Sequence, residues 1–148
     1  MEPSPILAPV VALVAWTLVI MLWMFVTRFA AMRKQGISLK GRVGTKTGAL
    51  EGIIPDQVNW KAHNYTHLVE QPTLFYAICL TIALLGAGDG ANLILAWSYV
   101  GLRVVHSLVQ ATVNIVLYRF SLFLLSSLCL VGLTVHAAAR IMHDCGLI

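Results

Sequence analysis

ILAPVVALVAWTLVIMLWMFV, residues Ile6 to Val26, is a run of 21 residues without a charged side chain. Wound as a helix at about 1.5 Å per residue, it spans the roughly 30 Å of a bilayer's hydrocarbon core. Phe120 to Ala139 is a second such run, of 20 residues. Between them lie Gln71 to Ala87 and Ala91 to Leu102, parted by Gly88-Asp89-Gly90, and the latter continues past Arg103 to Leu117. The chain is 59% hydrophobic and 11% charged, far below the roughly 25% charge of a soluble domain. The expectation is an all-α bundle of four transmembrane helices forming one domain over residues 1–148. Its helices fall at about 6–29, 62–86, 91–117 and 120–142, with a loop at about 30–60.

The opening Met1-Glu2-Pro3-Ser4-Pro5 has no basic region and the apolar run after it is long for a cleaved signal, so the first helix is expected to stay. Cys79, Cys129 and Cys145 are isolated and odd in number, which suits packing and neither a disulfide framework nor a metal motif. The first connection carries Arg33, Lys34, Lys40, Arg42, Lys46 and Lys61 against Glu51 and Asp56. That excess makes it cytoplasmic and sends both termini to the other face. The formal charge of +4 is thereby spent on orientation and contact with lipid headgroups, and no nucleic-acid partner is implied. Gly41-Arg42-Val43-Gly44-Thr45-Lys46 lacks the Gly-Lys-Ser/Thr ending of a phosphate loop. Asn64-Tyr65-Thr66 matches a glycosylation sequon but falls on the predicted cytoplasmic side.

Chemistry concentrates on two helix faces. At about 100° per residue, His63, His67 and Glu70 share an arc of about 60° with Asn59 beside them. Tyr99, Arg103, His106, Ser107, Gln110 and Asn114 form a stripe about 100° wide on the third span. Glu70 is the one carboxylate inside a span, so it is the expected partner of Arg103, within one subunit or across an interface. Pro72 removes a backbone donor and frees a carbonyl for the cluster. The stripe admits two readings: interhelical hydrogen-bond glue around a structural ion pair, or a wet cavity that accepts a polar ligand. A metal on His63, His67 and Glu70 is disfavoured by nearby Lys61 and Arg103.

These residues carry a resemblance to the MAPEG family, the membrane-associated proteins in eicosanoid and glutathione metabolism. Asn64-Tyr65-Thr66-His67-Leu68-Val69-Glu70-Gln71-Pro72, followed by Leu74-Phe75-Tyr76, resembles the family's Asn…Glu…Pro-Phe region in its second helix. Arg103-Val104-Val105-His106-Ser107 is similar to its Arg-x-x-His-Ser/Thr signature in the third. Arg119 falls where the prostaglandin E synthase branch carries the arginine that serves the glutathione thiol. The resemblance implies a homotrimer, a bacterial-type member in the cytoplasmic membrane, and glutathione as co-substrate between subunits, with a lipophilic electrophile arriving from the bilayer and no metal. It implies Arg119 as the catalytic residue and Glu70, Arg103, His106, Asn64, His67 and Gln110 as ligand-binding residues. The breadth of the polar stripe, too wide for one partner helix, points to the trimer as well. The departures are Lys61, His63, Asn64 and His67 where better-known members carry arginines, and Gln110 where many carry tyrosine. Three functions follow: a glutathione- or thiol-dependent transferase or peroxidase, a catalytically silent relative with another polar ligand, or a small transporter or proton conductor.

Overall fold

The computed structural model describes residues 3–41, 43–44 and 48–146. Met1 and Glu2, Arg42 and Lys46 of the basic connection, and part of the Gly41 to Lys46 stretch lie outside the described residues. Five helices run in order: α1 Leu7–Lys34, α2 Asp56–Glu70, α3 Pro72–Leu84, α4 Gly90–Thr112 and α5 Val116–Asp144. Helices α2 and α3 together form one span, so the chain has four helical segments long and apolar enough to cross a membrane. It is a multi-pass membrane protein.

The spans follow the sequence reading, and their ends depart from it for local reasons. Helix α1 runs on past the apolar region to Lys34, because basic side chains in its last turn suit both the helix dipole and the headgroups. It stops where Gly36 takes φ +65° and the Ile37 amide reaches back to the Met32 carbonyl. Helix α2 starts at Asp56, six residues before the expected boundary, since Pro55 precedes it and Asp56 supplies an acidic first turn. Pro72, without an N–H, divides α2 from α3 as the first residue of the new helix.

The largest departure is at the far end of α4. That helix ends at Thr112, not 117, and α5 begins at Val116, not 120. The reversal is Asn114 at φ +53°, whose amide donates to the Val109 carbonyl at 2.7 Å. Arg119 therefore sits in the first turns of α5, not in a connection around Tyr118.

Helix α5 packs chiefly on α4, and α1 on α2. The core runs through Leu13, Ile20, Leu68, Phe75, Tyr99 and Leu133, with the Phe75 and Tyr99 rings stacked at 4.3 Å. Val11, Leu18, Leu22 and Val26 on α1, and Leu124, Leu128, Val131 and Val135 on α5, remain exposed, as lipid-facing residues must. At one end of the bundle a Cβ on Gly88 would meet Ser4 Oγ and stand 2.9 Å from Ile6 Cγ2. His136 on α5 contacts Asn92 on α4 at 2.7 Å nearby. The segment before α1, the α3–α4 turn and the later part of α5 thus share one end. The other end holds the basic connection, where Lys61 Nζ donates to the Ala111 carbonyl. That connection is tied down: Leu50 and Ile54 join Met32 in a small apolar cluster, and Asn59 Nδ2 donates to the Leu50 carbonyl.

Candidate functional site

Helix α4 delivers its polar stripe into protein. Tyr99, Arg103, His106, Ser107 and Gln110 are all buried within the single chain, so the stripe does not lie open for a neighbouring subunit, and its breadth no longer argues for one. Asn114, expected as the sixth member, has left the helix for the turn. Asn64 of α2 lies opposite and donates through Nδ2 to Ser107 Oγ at 2.8 Å, both side chains being fully covered.

The expected ion pair is not formed. Arg103 has no exposed surface, and its Nη2 donates to the backbone carbonyl of His67 at 2.7 Å. That carbonyl is one residue before the one Pro72 deprives of its helical donor. The carbonyl that the proline frees is therefore not the acceptor, and Arg103 meets a neutral backbone dipole instead of the Glu70 carboxylate. Glu70 is exposed, between Val69 and the start of α3, and makes no ion pair among the described residues. A guanidinium covered on every side also offers nothing to a carboxylate from another chain. Charge pairing missed this arrangement because a buried arginine needs acceptors, and a backbone carbonyl can serve as one in place of an acid.

Lys61 and His63 of α2 are engaged elsewhere. Lys61 donates to the Gln57 and Ala111 carbonyls and lies 5.1 Å above the Trp23 ring. His63 pairs with Glu51 at 3.1 Å. His63, His67 and Glu70 do not converge, and no metal-holding group is found among the described residues. With His63 turned to the loop and Glu70 facing outward, they also form no continuous relay.

His67, His106, Val116, Arg119, Phe120 and Phe123 line an open cleft of about 270 Å³. The two imidazoles lie nearly parallel with their centroids 6.2 Å apart, and Phe123 flanks His106 at 6.4 Å. Arg119 Nη1 donates to Asn114 Oδ1 at 2.7 Å. One wall is cationic and imidazole-bearing, while Val116 and Phe120 on the other are exposed along the apolar surface. Of the expected site residues, His67, His106 and Arg119 line this pocket. Asn64, Arg103 and Gln110 lie buried along the faces leading to it, and Glu70 lies outside it.

Buried polar atoms normally find partners. Here Asn64 Oδ1, Tyr99 Oη, Arg103 Nε and Nη1, His106 Nδ1, Gln110 Oε1 and Arg119 Nε have none among the described residues. Most of these donors and acceptors lie on or beside the α4 stripe and are covered by protein. The Asn64–Ser107 contact is the glued part. Asn64→Ala should lower stability by ~1–3 kcal/mol by stranding Ser107. Adding Ser107→Ala should cost little more, and a double-mutant cycle of thermal melts that summed additively would deny the contact.

No curated protein and no solved structure matches the sequence. The sequence model of the MAPEG family matches residues 6–139, a range that contains the first three spans whole, the fourth up to its last turn, the α4 stripe and every residue lining the pocket. The chain therefore belongs to the MAPEG family, whose members are membrane proteins of glutathione and eicosanoid metabolism.

Proposed function

We propose that the protein is a glutathione- or other thiol-dependent transferase, with peroxidase chemistry open to the same site, acting on lipophilic electrophiles. The observation that carries this reading is the pocket joining Arg119, His67 and His106 to the apolar wall of Val116, Phe120 and Phe123. It lies at the end of the bundle that holds the basic connection, where a water-soluble thiol and a bilayer-dissolved electrophile can meet.

Arg119 holds a permanent positive charge beside the thiol and favours its ionised form, releasing the proton to water. The thiolate sulfur attacks the electrophilic carbon, a C–S bond forms, and the carbon–halogen bond of an aryl halide breaks with departure of halide. With a hydroperoxide the O–O bond is cleaved instead, and a second thiol completes the disulfide, leaving alcohol and water. The orphaned groups of Arg103, Gln110 and Asn64 supply polarity behind the pocket, and the phenylalanines offer an apolar surface to the electrophile. The test is the ultraviolet thiolate band of bound glutathione near neutral pH. A band in the wild type is expected, and its absence would remove the catalytic reading.

A second reading is a catalytically silent relative that binds a smaller polar ligand. It is favoured by the occupation of Lys61 and His63 in other contacts, which leaves Arg119 as the pocket's one permanent cation among the described residues. Calorimetry of glutathione against the purified protein separates the two.

The homotrimer and the bacterial cytoplasmic membrane, with the basic connection facing the cytoplasm, belong to the same proposal. Glu70 supports assembly: an exposed carboxylate halfway along a 29-residue span is costly against lipid and suits a polar contact with another subunit. Native mass spectrometry from mild detergent should show three copies, and a population of monomer or dimer alone would overturn the trimer.

A further inference from the structure

Four described helices end with a residue in the left-handed region close behind them. Three of these residues are glycine, Gly36 after α1, Gly86 after α3 and Gly146 after α5; the fourth is Asn114 after α4, the one non-glycine residue at positive φ among the described residues. All four share the positive φ, but the closing bond differs: the residues after Gly36 and Gly86 return their amides to Met32 and Ile82, whereas Asn114 returns its own amide to the Val109 carbonyl. Glycine suits such a position at no steric cost, whereas asparagine is merely tolerated. The turn's own hydrogen bond is made by the Asn114 backbone, which leaves its side chain to another partner.

What uses it is Arg119. Asn114 Oδ1 accepts from Arg119 Nη1 at 2.7 Å, the one side-chain hydrogen bond of Arg119 among the described residues. The acceptor is neutral, and none of the ion pairs among the described residues includes Arg119. The guanidinium is held in place with its charge uncancelled, and its buried Nε has no partner among the described residues. An aspartate could make the same contact but would neutralise the charge; a glycine would leave the arginine loose.

We infer that Asn114 is a positioning residue for Arg119: it turns the chain from α4 into α5 and, through the same side chain, fixes the guanidinium against the wall of the pocket while leaving its positive charge available to an anion. The inference rests on the proposed thiol chemistry only for its consequence in catalysis; the clamp itself is tested without it.

Two variants separate the side chain from the turn. Asn114→Gly keeps the φ that the backbone needs and removes only the acceptor. Asn114→Asp keeps the acceptor and adds a negative charge. The first measurement is the rate at which phenylglyoxal modifies Arg119 in the intact protein in detergent, read by mass on the peptide that contains it. In Asn114→Gly that rate should rise several-fold, with the melting temperature and oligomeric state retained, while in Asn114→Asp it should stay at or below the wild-type rate. The second measurement is the bound-thiolate band with kcat and KM for an aryl halide. Asn114→Gly should lower kcat about tenfold with little change in KM, since a mobile guanidinium is seldom where the sulfur needs it. Asn114→Asp should abolish the band by cancelling the charge. An unchanged modification rate in Asn114→Gly overturns the inference whatever the kinetics show. A faster rate in that variant, from a protein whose wild type shows no thiolate band, leaves the clamp standing and removes the thiol reading instead.

Discussion

Arg119→Ala should lower conjugation of glutathione to a generic aryl halide by about 100- to 1,000-fold, the scale on which enzymes lose rate when one preorganised donor to a developing or resident anion is removed. The loss should fall on kcat, because the guanidinium acts on the ionisation of the sulfur and not on the peptide's grip. The oligomer should survive, since among the described residues Arg119 belongs to no apolar core cluster and the one hydrogen-bond partner of its side chain is a turn side chain on its own chain. Arg119→Lys should recover activity only in part: an ammonium keeps the charge but has no planar fork with which to hold Asn114 Oδ1 and face the pocket together. The deciding comparison is thiolate absorbance alongside turnover. If the band is equally strong in wild type and Arg119→Ala, the arginine does not activate the thiol.

Sequence alone made the membrane architecture legible because hydropathy reports burial in lipid directly: a run such as Ile6 to Val26 has few other uses. It was poor at the ends of helices, where hydropathy stays flat. Ile115, Val116 and Leu117 are as apolar as the helices on either side, so the α4–α5 reversal left no trace in that signal. What marked it was Asn114, a residue tolerant of positive φ, and a reading by turn chemistry would have moved the boundary and drawn attention to the contact with Arg119. The start of α2 was similarly announced by Pro55-Asp56 and not by apolar residues, because its first turns are polar.

The site was legible as a set of residues and illegible as a geometry. Periodicity placed Tyr99, Arg103, His106, Ser107 and Gln110 on one face, and all five are buried there. Their partners could not be read, since partner choice depends on tertiary contacts. Pairing by charge joined Arg103 to Glu70, whereas a backbone carbonyl before a proline break took the guanidinium. The apolar half of the pocket was missed for the opposite reason: Val116, Phe120 and Phe123 look like any lipid-facing residues until Arg119 is placed among them.

Arg103 gives the second large effect, and its sign separates a structural ion from a functional one. A fully covered guanidinium with one carbonyl acceptor, and with Nε and Nη1 unpartnered among the described residues, is an expensive object inside a span, by about 2.5 kcal/mol on insertion scales and more in simulations. A core selected for stability would put an apolar side chain of similar length there, since replacing an imperfectly paired buried charge by a hydrophobe is often neutral or stabilising. Arg103→Met should therefore melt at or above the wild-type temperature, with the lost His67 carbonyl contact outweighed by the relief of burying the charge. The same variant should bind glutathione roughly ten- to a hundredfold more weakly, about 1.4–2.8 kcal/mol. Arg103 lies one helical turn from His106, and its positive field reaches an anion in the pocket through a medium that screens far less than water. Arg103→Lys should fall between the two in affinity, keeping the charge without the reach to the His67 carbonyl. Paired thermal melts and calorimetry decide the matter. A lower melting temperature with unchanged affinity would make Arg103 a structural post for α2 and α4, whereas retained stability with lost affinity ties the buried charge to the ligand.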